Sequence, residues 1–286
     1  MTGPAVALLV GIAGTTAIHL SKGMMRDGIV MMRRRRTRAV LLYYAVAVVL
    51  NHTNPLWVIL SNRFAPAAYY TSMYAVGLVP LLLFARFRLG EEVTRKHAVG
   101  ITVILVGSIV VGARGITAGD AKFAEVGYGA APPLLLFGLL VPAVCLAILA
   151  ASRGRRAAWR YVLFGLAAGG MSSLDAVFKG VAQRLALPAF LPSDPVAIAL
   201  FATSFVLALG AFLVTNWAFA SECGAAQLIA VYTPTYVVLP VVLNAVLSGQ
   251  SAGLVTYFAV AAVAAGAYLA GSRSRRTSID TLAARP

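Results

Sequence analysis

Long apolar runs separated by short polar turns dominate the chain, and each run is about as long as one membrane crossing. A transmembrane helix needs about 20 mostly apolar residues, and the hydropathy pattern predicts nine such spans. The runs are continuous, whereas the strands of a membrane barrel alternate in polarity over about ten residues. The predicted spans are 5–25, 39–60, 64–85, 97–113, 128–151, 160–186, 196–220, 223–247 and 252–271.

The composition supports the same class. Hydrophobic residues make up 60% of the 286 residues and charged residues 12%. A soluble domain carries about 25% charged residues, and a disordered chain has low hydrophobicity, so both of these classes are excluded. We therefore predict an all-α membrane protein. The two cysteines, Cys145 and Cys223, indicate neither a disulfide framework nor a metal site.

The basic residues lie mostly on one side of the predicted spans. Of 24 Lys and Arg residues, 18 fall after spans one and three, around the start of span six and in the tail. Four fall on the opposite side, and Lys22 and Lys179 lie within spans. The positive-inside rule then predicts an inner (cell) membrane protein with its N-terminus outside and its C-terminus in the cytoplasm. We interpret the basic runs as contacts with anionic lipids at the cytoplasmic face, and we expect no nucleic-acid partner.

Two parts of the chain match each other at a nearly constant offset. The stretch GTTAIHLSKG of span one matches MSSLDAVFKG of span six, which places Lys22 over Lys179 at an offset of 157 residues. Farther along, Trp57 lies over Trp217 at an offset of 160. Four spans per repeat with one span between them predict inverted repeats, which typically enclose a site near the membrane midplane. The predicted units are a first four-helix repeat (1–115), a linking helix with a basic loop (116–157), a second four-helix repeat (158–272) and a basic cytoplasmic tail (273–286).

Ionisable groups within spans are costly and normally face the bundle interior. Ser172, Asp175 and Lys179 share one face of span six, where the carboxylate and the ammonium can pair. This stripe is the leading candidate for a substrate or ion site, and a self-neutralised pair that fixes helix packing is the alternative. A metal ligand is otherwise unassigned, with Asp175 the candidate if the substrate is a cation.

Further candidates follow from polar side chains and prolines in apolar surroundings. Span one offers Thr15 and Lys22 at helical spacing with His19, whose charge can change near neutral pH. Pro55 frees carbonyl groups in span two that a substrate could use. The remaining predicted substrate-binding residues are His52, Asn54, Asn216, Tyr232 and Thr233.

Three stretches resemble known transporters. GTTAIHLSKG followed by a basic turn resembles the first helix of small multidrug resistance proteins. RFRLGEEVTRKHAVGITVILVGSIVVG and TNWAFASECGAAQLIAVYTPTYVVLPVVLNAVLSGQ resemble the corresponding parts of the two EamA-type repeats of the drug/metabolite transporter superfamily. The later VFKG and the nine spans are also similar to the NIPA-type branch, to which magnesium transport is attributed. The resemblance implies a carrier of two inverted repeats.

The chain departs from these families at some positions. The buried Glu of small multidrug transporters is replaced by Gly11, and its equivalent in the second repeat is Ala168. The carboxylate mechanism of that family therefore does not transfer. The Glu that usually closes the EamA helix is present as Glu91 but is replaced near Gln250.

These patterns predict a transporter that moves a small solute or ion by alternating access. Alternatives are a NIPA-like magnesium transporter, an exporter or flippase of an anionic metabolite or lipid headgroup, and a non-transporting scaffold. The chain has no HExxH or P-loop motif, so we predict that it is not an enzyme and needs no cofactor. The sequence leaves open the substrate, the coupling ion, the direction of transport and the oligomeric state, a homodimer included.

Overall fold

The structure is a computed structural model, and all its regular elements in the described residues are helical. This confirms the predicted all-α class. The described residues are 3–34, 37–64, 70–71, 73–123, 131–151, 157–186, 189, 191–248 and 253–271. The helices are α1 (Gly3–Arg34), α2 (Arg38–His52), α3 (Asn54–Phe64), a 3-10 turn (Tyr74–Gly77), α4 (Leu78–Phe87), α5 (Arg95–Phe123), α6 (Ala131–Ala151), α7 (Ala157–Leu185), α8 (Pro195–Ala220), α9 (Ala225–Ser248) and α10 (Leu254–Gly271). The predicted tail 273–286 and Arg153, Arg155 and Arg156 of the basic loop lie outside the described residues.

Several helices have the length and surface of membrane-spanning elements. Large apolar side chains stand exposed along them, including Leu139, Val206, Leu254 and Phe258. Soluble monomers rarely expose such extensive apolar surface, so these faces are suited to acyl chains. The predicted membrane-embedded class is therefore confirmed. Within the described residues, five helical stretches are long and apolar enough to cross a membrane: Ala5–Arg34, Arg38–Ser61, Arg160–Leu185, Pro195–Ala220 and Ala225–Leu243.

The second predicted span contains a helix break. Pro55 has no N–H to contribute to the helical ladder. Helix α2 accordingly ends at His52 and α3 begins at Asn54, with Thr53 between them. The indole Nε1 of Trp57 donates to Thr53 Oγ1 at 3.0 Å and holds the two helices together across the break. The break places polar side chains of both helix ends beside the interior of the bundle.

The first helices of the chain alternate in direction. Helix α1 packs antiparallel to α2 and α3. The contacts show this direction: Gly28 lies against Tyr44 at one end of α1, and Gly3 lies against Phe64 at the other. The 3-10 turn and α4 then run alongside α1 in the same direction.

Helices α7 and α8 form a second antiparallel pair. The ring of Phe164 packs on Trp217 near one end of the pair, and Lys179 lies over the ring of Phe205 farther along. Helix α1 ends in the same layer as α8, where the Arg33 guanidinium contacts the last carbonyl of α8. Helix α7 therefore runs in the opposite direction to α1.

Helices α5 and α10 cross at two glycines. A Cβ added to Gly100 would lie 2.5 Å from the backbone nitrogen of Ala270 and 2.6 Å from the carbonyl oxygen of Gly266. A Cβ added to Gly266 would lie 2.7 Å from the carbonyl oxygen of Gly100. The two backbones are thus in direct contact, as is common where small residues meet in membranes.

We expect Gly100→Ala to lower the free energy of unfolding by about 1–3 kcal/mol, because the new methyl group must push two backbones apart. The matched control is Gly170→Ala on α7, where the nearest atom is Val141 Cγ1 at 3.6 Å. This control should be neutral or slightly stabilising, since alanine favours helix. Denaturant titration of the purified protein measures both, and equal effects would contradict the crossing.

Candidate functional site

A cavity of about 220 Å³ lies between the two halves of the chain. Its walls come from α1, α2, α3 and the 3-10 turn on one side and from α7, α8 and α9 on the other. Six of the eleven predicted substrate-binding residues line this cavity: Lys22, His52, Asn54, Ser172, Asp175 and Tyr232.

The other five predicted residues lie outside the lining: Thr15, His19, Lys179, Asn216 and Thr233. Four of these residues form contacts that connect helices. His19 places Nδ1 2.8 Å from the Thr15 carbonyl oxygen and Nε2 3.4 Å from Thr233 Oγ1, which joins α1 to α9. Asn216 accepts the Tyr44 hydroxyl at 2.8 Å, which joins α8 to α2. Membrane helices commonly use polar side chains in this way.

Lys22 lies at the inner end of the cavity among aromatic rings. Its ammonium donates to the Tyr74 hydroxyl at 2.8 Å and lies 3.5 Å from the centroid of the Tyr232 ring. Tyr74 also stacks on Tyr236 with ring centroids 3.9 Å apart. Lys22 is 3% exposed, and within the described part of the chain it has no carboxylate partner. In this position, ring and hydroxyl dipoles would stabilise a protonated Lys22.

Lys179, the counterpart of Lys22 in the matching stretch, has a different environment. Its ammonium is fully buried and pairs with the Asp175 carboxylate one helical turn earlier. It also lies 4.7 Å from the centroid of the Phe205 ring. The pair predicted from the spacing is therefore present, and its carboxylate forms part of the cavity wall while its ammonium lies behind that wall. Next to it, the Tyr232 hydroxyl donates to Ser172.

The cavity reaches the outer surface of the bundle between α2 and α8. His52, Phe205 and Leu209 line it and are also exposed. The imidazole of His52 packs edge-on against Phe212 with ring centroids 4.6 Å apart. Leu209 lies on the same exposed apolar face of α8 as Val206. The opening is therefore polar on the α2 side and apolar on the α8 side.

Polar contacts join the two halves beyond the inner end of the cavity. We call them the polar clamp: Arg26, Arg33 and Glu91 on one side and residues 220–226, the turn from α8 into α9, on the other. Arg26 Nε donates to the Cys223 carbonyl oxygen at 3.0 Å, and Arg33 forms an exposed ion pair with Glu222 at 3.0 Å.

Within the polar clamp, the Glu91 side chain binds the start of α9 through two hydrogen bonds. Its two carboxylate oxygens accept the backbone N–H groups of Ala225 at 2.8 Å and Ala226 at 3.1 Å. These groups begin α9 and have no acceptor within that helix. Glu91 thus caps a helix 134 residues away in sequence, where a negative charge also complements the helix dipole.

Burial changes the acidity of two groups in the polar clamp. Burial raises the pKa of Glu91 above its usual value, and the N–H donors of Ala225 and Ala226 and the charge of Arg26 oppose that rise. Burial likewise raises the pKa of the Cys223 thiol to about 11. A thiol with this pKa is mostly protonated near neutral pH and reacts slowly while it stays enclosed.

The sequence allowed two roles for the tyrosines of span three, Tyr74 included: lining the pathway, or aromatic packing, which it favoured. The structure places Tyr74 in the cavity lining, at the start of the 3-10 turn. Glu91 matched a family motif, but no local signal connects it to α9. Among the described residues, no group of three or more His, Cys, Asp or Glu side chains could hold a metal ion. No family model, curated protein or solved structure matches the chain.

Proposed function

We propose that the chain is a membrane carrier of the drug/metabolite type that moves a small solute by alternating access. The observation that carries this proposal is the cavity, which helices of both halves form and which has ionisable groups in its lining. Ionisable side chains inside a membrane protein mark substrate and ion pathways in most cases.

The course of the helices supports the proposed inverted repeats. Helices α1 and α7, which carry the matching lysines, run in opposite directions. Within each half, the first and third helical segments are parallel: α1 with α4, and α7 with α9. Nine crossings, with an outside N-terminus and a cytoplasmic C-terminus, are consistent with this course. In such an architecture the two halves can move relative to each other around a fixed site.

The polar clamp supports a closed cytoplasmic end. It lies one turn of α1 beyond Lys22, on the side that carries Arg33 and the loop from α4 to α5. Hydrogen bonds and ion pairs of this kind can break and re-form at a moderate cost in free energy. A transport cycle would open the polar clamp and close the opening between α2 and α8.

The charges in the cavity disfavour a bare divalent cation as the substrate. Mg²⁺ is bound by carboxylates, other oxygen ligands and retained waters. Asp175 already pairs with Lys179, and the Lys22 ammonium repels a cation. The magnesium alternative therefore has less support than an organic solute.

Labelling of a cysteine in the cavity tests alternating access without knowledge of the substrate. The background variant replaces Cys145 and Cys223 by Ala, and Ala208→Cys then places one thiol in the cavity lining. A membrane-impermeant maleimide is applied to right-side-out and to inside-out vesicles. We expect labelling from both sides, because the cavity would face each side in turn.

The control for this experiment is Val206→Cys on the same helix. Val206 is 70% exposed on the apolar face, so a thiol there would lie in lipid and should stay unlabelled from both sides. Labelling of Ala208→Cys from one side only, under all conditions, would favour a static scaffold over a carrier.

A further inference from the structure

We infer that the cavity binds an organic oxyanion, a carboxylate or phosphate head on an apolar body, with the head at the Lys22 ammonium. This inference rests on the proposed carrier function only for the statement that the bound molecule is moved. The geometry of the cavity carries the rest.

A protonated Lys22 would give the cavity a positive charge that an anion could balance. Among the described residues of its lining, Lys22 and Asp175 carry formal charges, and Asp175 is already paired with Lys179. A protonated Lys22 therefore has no counter-ion in the described lining. A buried ammonium without a counter-ion is costly and tends to lose its proton. An anionic ligand would remove that cost and keep the proton on Lys22.

The ammonium also has hydrogen-bonding capacity to spare. It carries three N–H donors, of which one bonds to the Tyr74 hydroxyl. The described structure shows no other hydrogen bond from Lys22, since its contact with Tyr232 is to the ring face. Two donors can therefore bind the oxygens of a carboxylate or phosphate.

The two matching stretches differ at the position that would neutralise this lysine. An offset of 157 residues places Asp175 over Ile18, just as it places Lys179 over Lys22. Ile18 is buried and lines the cavity next to Lys22. The second half thus supplies its own carboxylate one turn before the lysine, whereas the first half has the apolar Ile18 there.

The apolar side of the opening accounts for the rest of the ligand. Phe205, Leu209 and Phe212 form part of the lining, and the first two are also exposed at the side of the bundle. A ligand whose head contacts Lys22 would extend its body along this apolar strip. A water-soluble amphiphile and a lipid headgroup share this chemistry.

The inference is tested by measuring how the purified protein binds probes of similar size and shape that differ in charge. The anions are hexanoate, benzoate, hexyl phosphate and phenyl phosphate; the neutral and cationic matches are hexanamide, benzamide, hexylamine and benzylamine. Isothermal titration and ligand-induced thermal shift measure each. We expect saturable binding of the anions and affinities at least roughly tenfold weaker for the amides and amines. Inorganic phosphate should also bind more weakly, because it lacks the apolar body.

Three variants show whether Lys22 is the anion-binding group. Lys22→Met and Ile18→Asp should each weaken benzoate binding by roughly tenfold or more, the first by removing the charge and the second by pairing it within the helix. Lys96→Met, at the exposed start of α5, removes a lysine outside the cavity and should leave binding unchanged. Without ligand, the Lys22→Met protein should have a melting temperature no lower than that of the unsubstituted protein. The substitution removes a buried amine that has no carboxylate partner among the described residues.

Competition in nanodiscs separates the two sources of the anion. If phosphatidic acid in the bilayer displaces hexyl phosphate, the lipid headgroup is the ligand; if it does not, a water-soluble anion is. Benzamide binding as tightly as benzoate, failure of all anions to bind, or unchanged benzoate binding by Lys22→Met would overturn the inference. Labelling of Ala208→Cys from both sides would still support a carrier in each of these cases.

Discussion

Replacing Asp175 by Asn should lower the free energy of unfolding by about 3–5 kcal/mol, because it leaves the Lys179 ammonium in the bundle without a counter-ion. The side chains of Lys179 and Asp175 are 0% and 2% exposed, so water cannot replace the lost partner. Lys179→Met should cost a similar amount, since the remaining carboxylate is then unpaired. Denaturant titration of the protein in detergent or bicelles measures both changes.

The double variant Asp175→Leu/Lys179→Met should recover most of this loss. Replacing a buried ion pair by apolar side chains of similar volume is often neutral or stabilising. The matched control is Glu222→Gln, which breaks the pair with Arg33, whose side chains are 56% and 45% exposed. That change should cost about 0–1 kcal/mol. A single variant at Asp175 as mild as this control would contradict the buried pair.

The double variant also decides between the two roles that the sequence allowed for the pair. If the pair only fixes helix packing, the refolded double variant retains binding and flux of any anion for which the unsubstituted protein shows them. If the Asp175 carboxylate contacts the substrate or exchanges partners during the cycle, the double variant is stable but inactive. Stability and flux measured on the same preparation separate these outcomes.

Replacing Glu91 by Ala should raise the rate of Cys223 labelling from the cytoplasmic side by about tenfold or more. The substitution leaves the first N–H groups of α9 without their acceptors. Each hydrogen bond to a charged group contributes about 1.5–3 kcal/mol, and partial exposure of Glu91 reduces this. A shift of about 1.4 kcal/mol already changes the population of an open state tenfold. Inside-out vesicles of the Cys145→Ala variant and an impermeant maleimide provide the measurement.

Two comparisons distinguish opening of the polar clamp from local fraying of α9. Glu92→Ala removes a carboxylate from the adjacent, exposed position and should leave Cys223 labelling unchanged. In the background that lacks both native cysteines, Glu91→Ala should also increase cytoplasmic labelling of Ala208→Cys. If Cys223 alone reacts faster, the Glu91 carboxylate holds only its own turn and does not control the cavity.

The class of the fold was predictable because its signal is local and repeated. Uninterrupted apolar runs predicted helices, and the structure has helices in all of them within the described residues. The break at Thr53 followed from Pro55, although the sequence predicted a single span there. Helix ends were less predictable: α1 continues to Arg34 and α5 to Phe123, because polar helical turns extend beyond the apolar runs.

The candidate site was predictable only where one helix determined it. The pairing of Asp175 with Lys179 requires a spacing of four residues and nothing more. His19 and Lys22 are three residues apart on α1, and the sequence could not tell that only Lys22 lines the cavity. That difference depends on where α9 and the 3-10 turn approach α1. Contacts between distant segments, such as Glu91 with α9, leave no periodic signal in the sequence.

Helix α2 and its continuation α3 have a property that would affect the speed of the proposed transport. In the most apolar part of the stretch Arg38–Ser61, only 11% of the residues are buried inside the protein, although His52 at the end of α2 borders the cavity. Most of the resistance to tilting this helix would therefore come from acyl chains and not from neighbouring helices. A carrier whose moving part is surrounded by lipid would change its turnover with bilayer viscosity and thickness, even where ligand affinity stays constant.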